Sequence, residues 1–461
     1  MKSLIKRLFV CAGILLSLSS HASTLSKQIN QAIRDFDPNL NIGIDIVDLR
    51  RNEVLYHRND QRLYHPASTL KLFTALASLL ALGPDYRFQT QIRAAGDDIY
   101  IRFSGDPTLT NVDLDTLAMQ LRMKNVKHIK GNVYLDTTAM AGKSYGPGWM
   151  WDELNLCYAA PVEAVSVNHN CFRTVASTTW FSGKPVQLQD YPLKSYLPIR
   201  NQAITASSDS NCDLDLRAAP DNHYSLTGCL HKRTRSLALD VAINNPSLFA
   251  KQLLQHAFQQ AGVSVHGKWL EKGTPKKSHL ITAHRSQALR DIVIIMLKTS
   301  DNHIADTLFK TLATHQSHRA GTWSEGEKAI RTILQKQAKL DLTKATIVDG
   351  SGLSRYNLVT PDELMQILTY AYHNFHLEPE FLAGLPIAGV DGTLRKRLLK
   401  TALSDQLRAK TGSMQGISTL AGYLEGKDKH RYAFVVMSNN FSVKCHDLHK
   451  LEKKIVKALV G

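Results

Sequence analysis

Beyond its first two dozen residues the chain has no apolar run long enough to cross a bilayer, no internal repeat and no low-complexity tract. These absences exclude helical membrane spans, a solenoid and a disordered linker protein. The histidines number 19, yet no His-Glu-x-x-His or comparable ligand spacing occurs. His315 and His318 come nearest, and they sit among polar residues ahead of a helix. No metal or nucleotide cofactor is implied. Zinc-finger spacing and aromatic–basic ribonucleoprotein motifs are missing as well. The net charge of +16 is therefore scattered rather than gathered for nucleic acid. What remains is an ordinary soluble composition in 461 residues, enough for two or three domains with sizeable cores.

The N-terminus departs from this. Met1 to Arg7 is basic, Leu8 to Leu18 is an apolar stretch too short to span a membrane, and Ser20-His21-Ala22 places small residues where signal peptidase cuts. A cleaved secretory leader over residues 1–22 is expected, and with it export. Cys11 lies inside the apolar stretch after Leu8-Phe9-Val10, without the small residues of a lipidation site. Lys2, Lys6 and Arg7 account for three of the +16 charges, leaving the mature chain at +13. An exported cationic protein meets anionic envelope polymers or lipid surfaces rather than nucleic acid. Export also permits disulfides. Proximity suggests Cys157–Cys171 and Cys212–Cys229, each closing a short loop, with Cys445 left over.

Periodicity predicts a helix over 26–36, a hairpin from Asn41 to Leu49 and Glu53 to His57, and a helix from Pro66 that stops at Gly83-Pro84. From Tyr86 to about Ala283 short β-like runs dominate: Phe88 to Ala95, Asp98 to Phe103, His128 to Leu135 and Leu237 to Ile243. Asn245-Pro246 opens a helix in this segment that ends at Gly262. Helical periodicity returns at Leu289 to Lys298 and from His303 onward. Capping boxes are read at Ser324-Glu325-Gly326-Glu327 and Thr360-Pro361-Asp362-Glu363. Gln406 to Lys410, Ile417 to Leu424 and Arg431 to Ser438 alternate like strands of one antiparallel sheet, and Leu448 to Val460 closes the chain as an amphipathic helix. The class is α+β, an outer domain of both chain ends interrupted by a β-rich, two-lobed insertion.

Three short motifs carry chemistry. Ser68 and Lys71, three apart on one helical turn, lie on the same face. A lysine with a lowered pKa can take the serine proton and make a nucleophile. Ser300-Asp301-Asn302 sits between two helical segments; its serine can relay a proton and the Asn302 carboxamide can bond a substrate amide. Lys410-Thr411-Gly412-Ser413 ends a predicted strand. Its cation and hydroxyls suit a substrate carboxylate, Gly412 permits close backbone approach, and the Ser413 N–H can complete an oxyanion hole with that of Ser68. Singly each is common: Ser-x-x-Lys recurs at Ser3–Lys6 and Ser-x-Asn at Ser166–Asn168 and Ser438–Asn440. The order and setting of the three together are specific to the penicillin-recognising serine enzymes.

With these motifs the chain resembles the low-molecular-mass class C penicillin-binding proteins, the D-alanyl-D-alanine carboxypeptidase/endopeptidases of the bacterial periplasm. Further stretches carry the likeness, among them Phe103-Ser104-Gly105-Asp106-Pro107-Thr108-Leu109, Pro147-Gly148-Trp149-Met150-Trp151-Asp152, Val348-Asp349-Gly350-Ser351-Gly352-Leu353-Ser354-Arg355 and Gly389-Val390-Asp391-Gly392-Thr393-Leu394. The resemblance implies a transpeptidase/β-lactamase-like domain, an antiparallel sheet flanked by helices, from residues 23–85 and 284–461. Residues 86–283 form the insertion, with an inner lobe over roughly 111–190. It implies catalytic roles for Ser68, Lys71, Ser300, Asn302 and Lys410, and substrate contacts by Thr411, Gly412 and Ser413. Asp136 is expected to meet a cationic side chain of the peptide. The implied substrates are peptidoglycan stem peptides, cut at D-Ala-D-Ala termini and at D-Ala-meso-diaminopimelate cross-links, with β-lactams as covalent inhibitors. A serine β-lactamase or a non-catalytic wall-binding scaffold is the alternative, and the rate of penicillin turnover separates them.

Overall fold

The structure, a computed structural model, describes residues 24–189, 193, 195–207, 211–398, 401, 403–426 and 430–460. The expected leader, residues 1–22, lies outside them, as does the side chain of Cys445. The chain divides into two compact units: Met1–Ala81 with Val293–Asp301 and Ile330–Gly461, and Leu82–Ile292 with Asn302–Ala329.

The first unit is built on a five-stranded sheet. In chain order its strands are β1 (Asn41–Asp48), β2 (Glu53–Arg58), β3 (Leu407–Met414), β4 (Ile417–Glu425) and β5 (Arg431–Asn439). Their spatial order is β3-β4-β5-β1-β2, and every pair is antiparallel. Ile42, Ile44 and Ile46 of β1 pack with Ile29 and Ile33 of the 24–36 helix and with Leu448, Leu451 and Ile455 of the closing helix, Cys445–Lys457. The opposite face of β1 carries Gly43, where an added Cβ would stand 2.6 Å from Tyr64 and 2.7 Å from Pro361. Only glycine lets the Pro361–His373 helix come this near. Thr360 caps that helix as expected, accepting from the Glu363 N–H while Glu363 accepts from the Thr360 N–H at 2.8 Å.

The second unit holds a mixed five-stranded sheet, in spatial order Trp269–Glu271, Val133–Asp136, Asp98–Arg102, Gln89–Ala95, His279–Arg285. Helices Asn111–Met123 and Pro246–Gln260 bury Leu114, Leu117, Leu121, Phe249, Leu253 and Leu254 in its core. A smaller core of Ala176, Val186, Ala203, Leu226 and Leu230 marks a second, all-β lobe. The β-rich character read from sequence for this segment is present. Cys157–Cys171 and Cys212–Cys229 are bridged as proximity suggested, with Cα–Cα separations of 5.2 and 5.5 Å. Among the described residues no helix is long and apolar enough to cross a membrane.

Several local expectations needed correction. The helix Asn111–Met123 was not foreseen, because alternating Asn, Asp and Thr in its first turns dilute the apolar stripe; its Thr110–Asp113 capping box was the available signal. The cap of the Trp323–Ala338 helix is Thr322, whose hydroxyl accepts from the Glu325 N–H at 3.3 Å, rather than Ser324. The strand carrying Lys410 does not end at that motif but runs on to Met414, because Thr411, Gly412 and Ser413 pair with Leu420, Thr419 and Ser418 of β4.

Asp45 of β1 is nearly buried, and burial, reinforced by Asp362 and Asp60, pushes its carboxyl up to about 7. A carboxyl with a folded pKa above its unfolded value holds its proton more tightly in the native chain. Its stabilising contribution is present below about pH 4 and is lost as the pH rises through about 7. Asp45→Asn should therefore stabilise the protein at pH 8, by on the order of 1–3 kcal/mol. The gain should vanish near pH 4, as read by denaturant titration at both pH values.

Candidate active site

Ser68 lies in a turn of 3-10 helix, Ala67–Leu70, that leads directly into the α-helix Lys71–Leu82. The turn is clamped from several sides. The Pro66 carbonyl accepts from the Thr69 hydroxyl at 2.7 Å and from the Thr419 hydroxyl of β4 at 2.8 Å. Upstream, the His65 N–H donates to the Asn439 carboxamide of β5 at 2.7 Å. Ala67 has φ +46°, a left-handed conformation that costs a non-glycine residue about 1 kcal/mol or more. Gly352 packs so tightly behind it that an added Cβ would overlap the Ala67 carbonyl oxygen. The result is a half-buried Ser68 on a turn that cannot easily relax.

The two motif lysines converge on this turn and on Ser300. Lys71, with no exposed surface, donates from Nζ to Ser68 Oγ at 2.9 Å and to the Ser351 carbonyl at 2.8 Å. Lys410, equally buried, donates from Nζ to Ser300 Oγ at 2.9 Å and to the Thr411 carbonyl at 2.7 Å. Burial pushes the Lys410 amine well below the ordinary lysine range, and the charge of Lys71 pushes it further the same way. Ser300 is itself left-handed, at φ +62°. The Gly412 backbone runs against the Ser68 turn, where an added Cβ would lie 2.8 Å from the Pro66 oxygen and 3.0 Å from the Ser68 nitrogen. Ser68, Lys71, Ser300, Lys410 and Gly412 are thus brought together. Ser413 follows on β3, exposed and opposite Ser418.

A further layer of residues holds this arrangement, and in the sequence its segments stand out only by their family likeness. Asp349, fully buried, accepts at Oδ1 from the Gly352 N–H and from Asn357 Nδ2, each at 2.8 Å. Its Oδ2 accepts from the Ser354 N–H at 2.7 Å. These bonds shape the turn that presents the Ser351 carbonyl to Lys71. Lys298 donates to Asp391 at 2.6 Å and to the Leu385 carbonyl at 2.7 Å, fixing the loop on which Thr393 meets the Thr411 hydroxyl at 2.8 Å. The punctuation Asp-Gly-Ser-Gly was the one signal that a shaped turn lay at 349–352.

Asn302 and Asp136 belong to the second unit. Asn302 begins the helix Asn302–Ser317 and donates from Nδ2 to the Tyr158 carbonyl at 2.9 Å. Asp136 is 2% exposed. Its Oδ1 accepts from the Thr138 N–H at 3.0 Å and hydroxyl at 2.6 Å, and its Oδ2 from the Thr274 N–H at 2.9 Å. Those bonds hold its carboxyl below the ordinary range although burial opposes them. Both carboxylate oxygens are thus engaged within the second unit.

The family profile described as D-Ala-D-Ala carboxypeptidase 3 (S13) matches residues 25–460. The D-alanyl-D-alanine carboxypeptidase DacB of Haemophilus influenzae is 32% identical over 446 residues, covering 93% of this chain and 92% of that protein. The crystal structure of penicillin-binding protein 4 from Haemophilus influenzae superposes with a TM-score of 0.86 at 30% identity, over 94% of this chain and 99% of that one. A second crystal structure of the same protein, in complex with a β-lactam, superposes with a TM-score of 0.82 at 29% identity over the same shares of the two chains.

Because the folded pKa of Lys410 lies below its unfolded value, the unfolded chain binds more protons and stability rises with pH up to the ordinary lysine range. Lys410→Met removes that cost. Its Tm at neutral pH should equal or exceed that of the parent, while acylation by a fluorescent penicillin is lost. A lower Tm would show that the bonds to Ser300 and Thr411 outweigh desolvation. Asp136→Asn should lower Tm, through its bonds to Thr138 and Thr274, more than it alters discrimination between peptides with and without a cationic side chain.

Proposed function

The chain belongs to the D-Ala-D-Ala carboxypeptidase 3 (S13) family, and from that premise we propose that it is a serine D-alanyl-D-alanine peptidase acting through an acyl-enzyme. The observation that carries this reading is the 2.9 Å bond from Lys71 Nζ to Ser68 Oγ, with Lys410 and Ser300 joined at 2.9 Å beside it. A lysine ammonium cannot accept a proton, so the base must be an amine. We take Lys71 as that amine on the strength of its bond to Ser68, with the lowered proton affinity of the Lys410 amine beside it.

Ser68 Oγ attacks the carbonyl carbon of the penultimate D-alanine as its proton passes to neutral Lys71. The backbone N–H groups of Ser68 and Ser413 receive the oxyanion. Ser300, bonded to Lys410, hands a proton to the departing amine as the C–N bond breaks and takes in its place the proton that Lys71 accepted from Ser68. Water then hydrolyses the ester, returning Ser68 and a free carboxylate. Thr411 and Lys410 hold the substrate's terminal carboxylate, Gly412 allows the peptide backbone to lie along β3, and Asn302 bonds a substrate amide. The same nucleophile takes the strained amide of penicillin and remains covalently bound. Within this proposal residues 86–283 interrupt the catalytic domain formed by 23–85 and 284–461. The enzyme works in the periplasm and opens D-Ala-meso-diaminopimelate cross-links as well as removing terminal D-alanine.

Ser68→Ala should abolish labelling by fluorescent penicillin and reduce peptidase turnover by a factor of about a million. Gly412→Ala, which sets a methyl against the Ser68 turn, should cost about a hundredfold or more in acylation rate. In wild-type protein the penicilloyl adduct should persist through gel electrophoresis; rapid steady-state hydrolysis of penicillin would instead mark a β-lactamase. Digestion of purified muropeptides should yield both tetrapeptide monomers from pentapeptides and monomers from cross-linked dimers. Dimers left intact would restrict the enzyme to terminal D-alanine.

A further inference from the structure

The all-β lobe of the second unit ends in a surface that the peptidase chemistry does not use. Trp180 and Phe181 stand side by side on the 178–184 loop, 85% and 72% exposed. Adjacent large aromatics this open to water are costly unless something covers them. The loop is nonetheless held in shape. The Thr178 N–H donates to the Arg235 carbonyl at 2.8 Å, the Thr179 N–H to the Thr205 hydroxyl at 3.0 Å, and the Gly183 N–H to the Thr205 carbonyl at 2.8 Å. Beneath it lies the small apolar core around Ala176, Val186 and Leu226, and the Cys212–Cys229 bridge closes the same lobe.

Around the rings stand Lys184, Lys232, Arg233 and Arg235, all exposed. The segments that build the surface, residues 172–189, 203–207 and 230–239, contain no Asp or Glu. The Trp180 side of the surface opens on a depression of about 860 Å³ floored by Thr178, Thr179 and Ser207 and walled by Lys232, Arg233 and Arg235. Exposed aromatic tips beside a cluster of exposed cations match an anionic bilayer surface: indole and phenyl rings favour the headgroup boundary, and the basic side chains face its phosphates.

We propose that this lobe is a peripheral membrane-binding site that seats Trp180 and Phe181 in the headgroup layer of anionic phospholipid. The inference does not rest on the peptidase reading. A soluble polyanion would engage the cations and leave both rings in water, so dependence on the rings separates a bilayer from an anionic polymer. The rings and the shaped loop are present before binding, so little ordering entropy opposes the contact.

The test is flotation of the protein, purified after secretion under its own leader, with phosphatidylcholine vesicles made with and without phosphatidylglycerol. Binding should require phosphatidylglycerol and weaken as salt is raised. Lys232→Ala/Arg233→Ala should lower the partition coefficient roughly thirtyfold. Trp180→Ser/Phe181→Ser should remove binding, and the Tm and circular dichroism of both variants should stay at the parental values, which reports that they fold. Absence of wild-type binding at low salt would overturn the proposal. So would unchanged binding of the Trp180→Ser/Phe181→Ser variant, or preferential capture by soluble polyglutamate or a single-stranded oligonucleotide.

Discussion

Two lysine side chains without exposed surface, Lys71 and Lys410, are held near enough that the charge of the first lowers the proton affinity of the second. Burial of one ammonium is expensive, and burial of two close together is more so. The first unit meets that cost with hydrogen bonds of fixed geometry. Lys71 is received by a serine hydroxyl and a carbonyl, as is Lys410. The same burial and repulsion hold the Lys410 amine below the ordinary lysine range.

The scaffold around the lysines is arranged to keep them there. β3 and β4 pair through the Lys410 motif, and β4 reaches the Pro66 carbonyl through Thr419. β5 secures His65 through Asn439, and Asp349 stiffens the turn that faces Lys71. Left-handed backbone at Ala67 and Ser300 lies at the two serines of the site and nowhere else within its motifs. Strain located there is consistent with side chains aimed by their surroundings rather than by local preference. The sheet thus serves as the frame against which both serines are indexed.

The second unit shows how one residue pattern can serve different ends. Ser166, which with Asn168 repeats the Ser-x-Asn spacing, is a buried partner of His303 at 2.7 Å. Asp136, singled out for a substrate contact, caps the turn at Thr138 and ties it to Thr274. Both are polar groups whose bonds are satisfied inside the unit, as burial demands. The outward-facing lobe around Trp180 is the opposite case, with large apolar surface left in water and cations gathered about it.

Local order carried much of the answer. Alternation and capping residues marked the hairpin at 41–58, the three C-terminal strands and the Thr360 helix, because each depends on neighbours in sequence. Ser68 and Lys71 could be paired from spacing alone, since a helical turn puts them on one face. Cysteine proximity gave both bridges. What spacing could not reach were contacts closed over hundreds of residues: Lys71 to the Ser351 carbonyl, Lys410 to Ser300, and Gly412 against the Ser68 turn. Nor could it show that Asp136 is buried and bonded to Thr138 and Thr274. A residue's type states which bonds it can make; only the assembled chain decides which partner is within reach and whether water is there to compete.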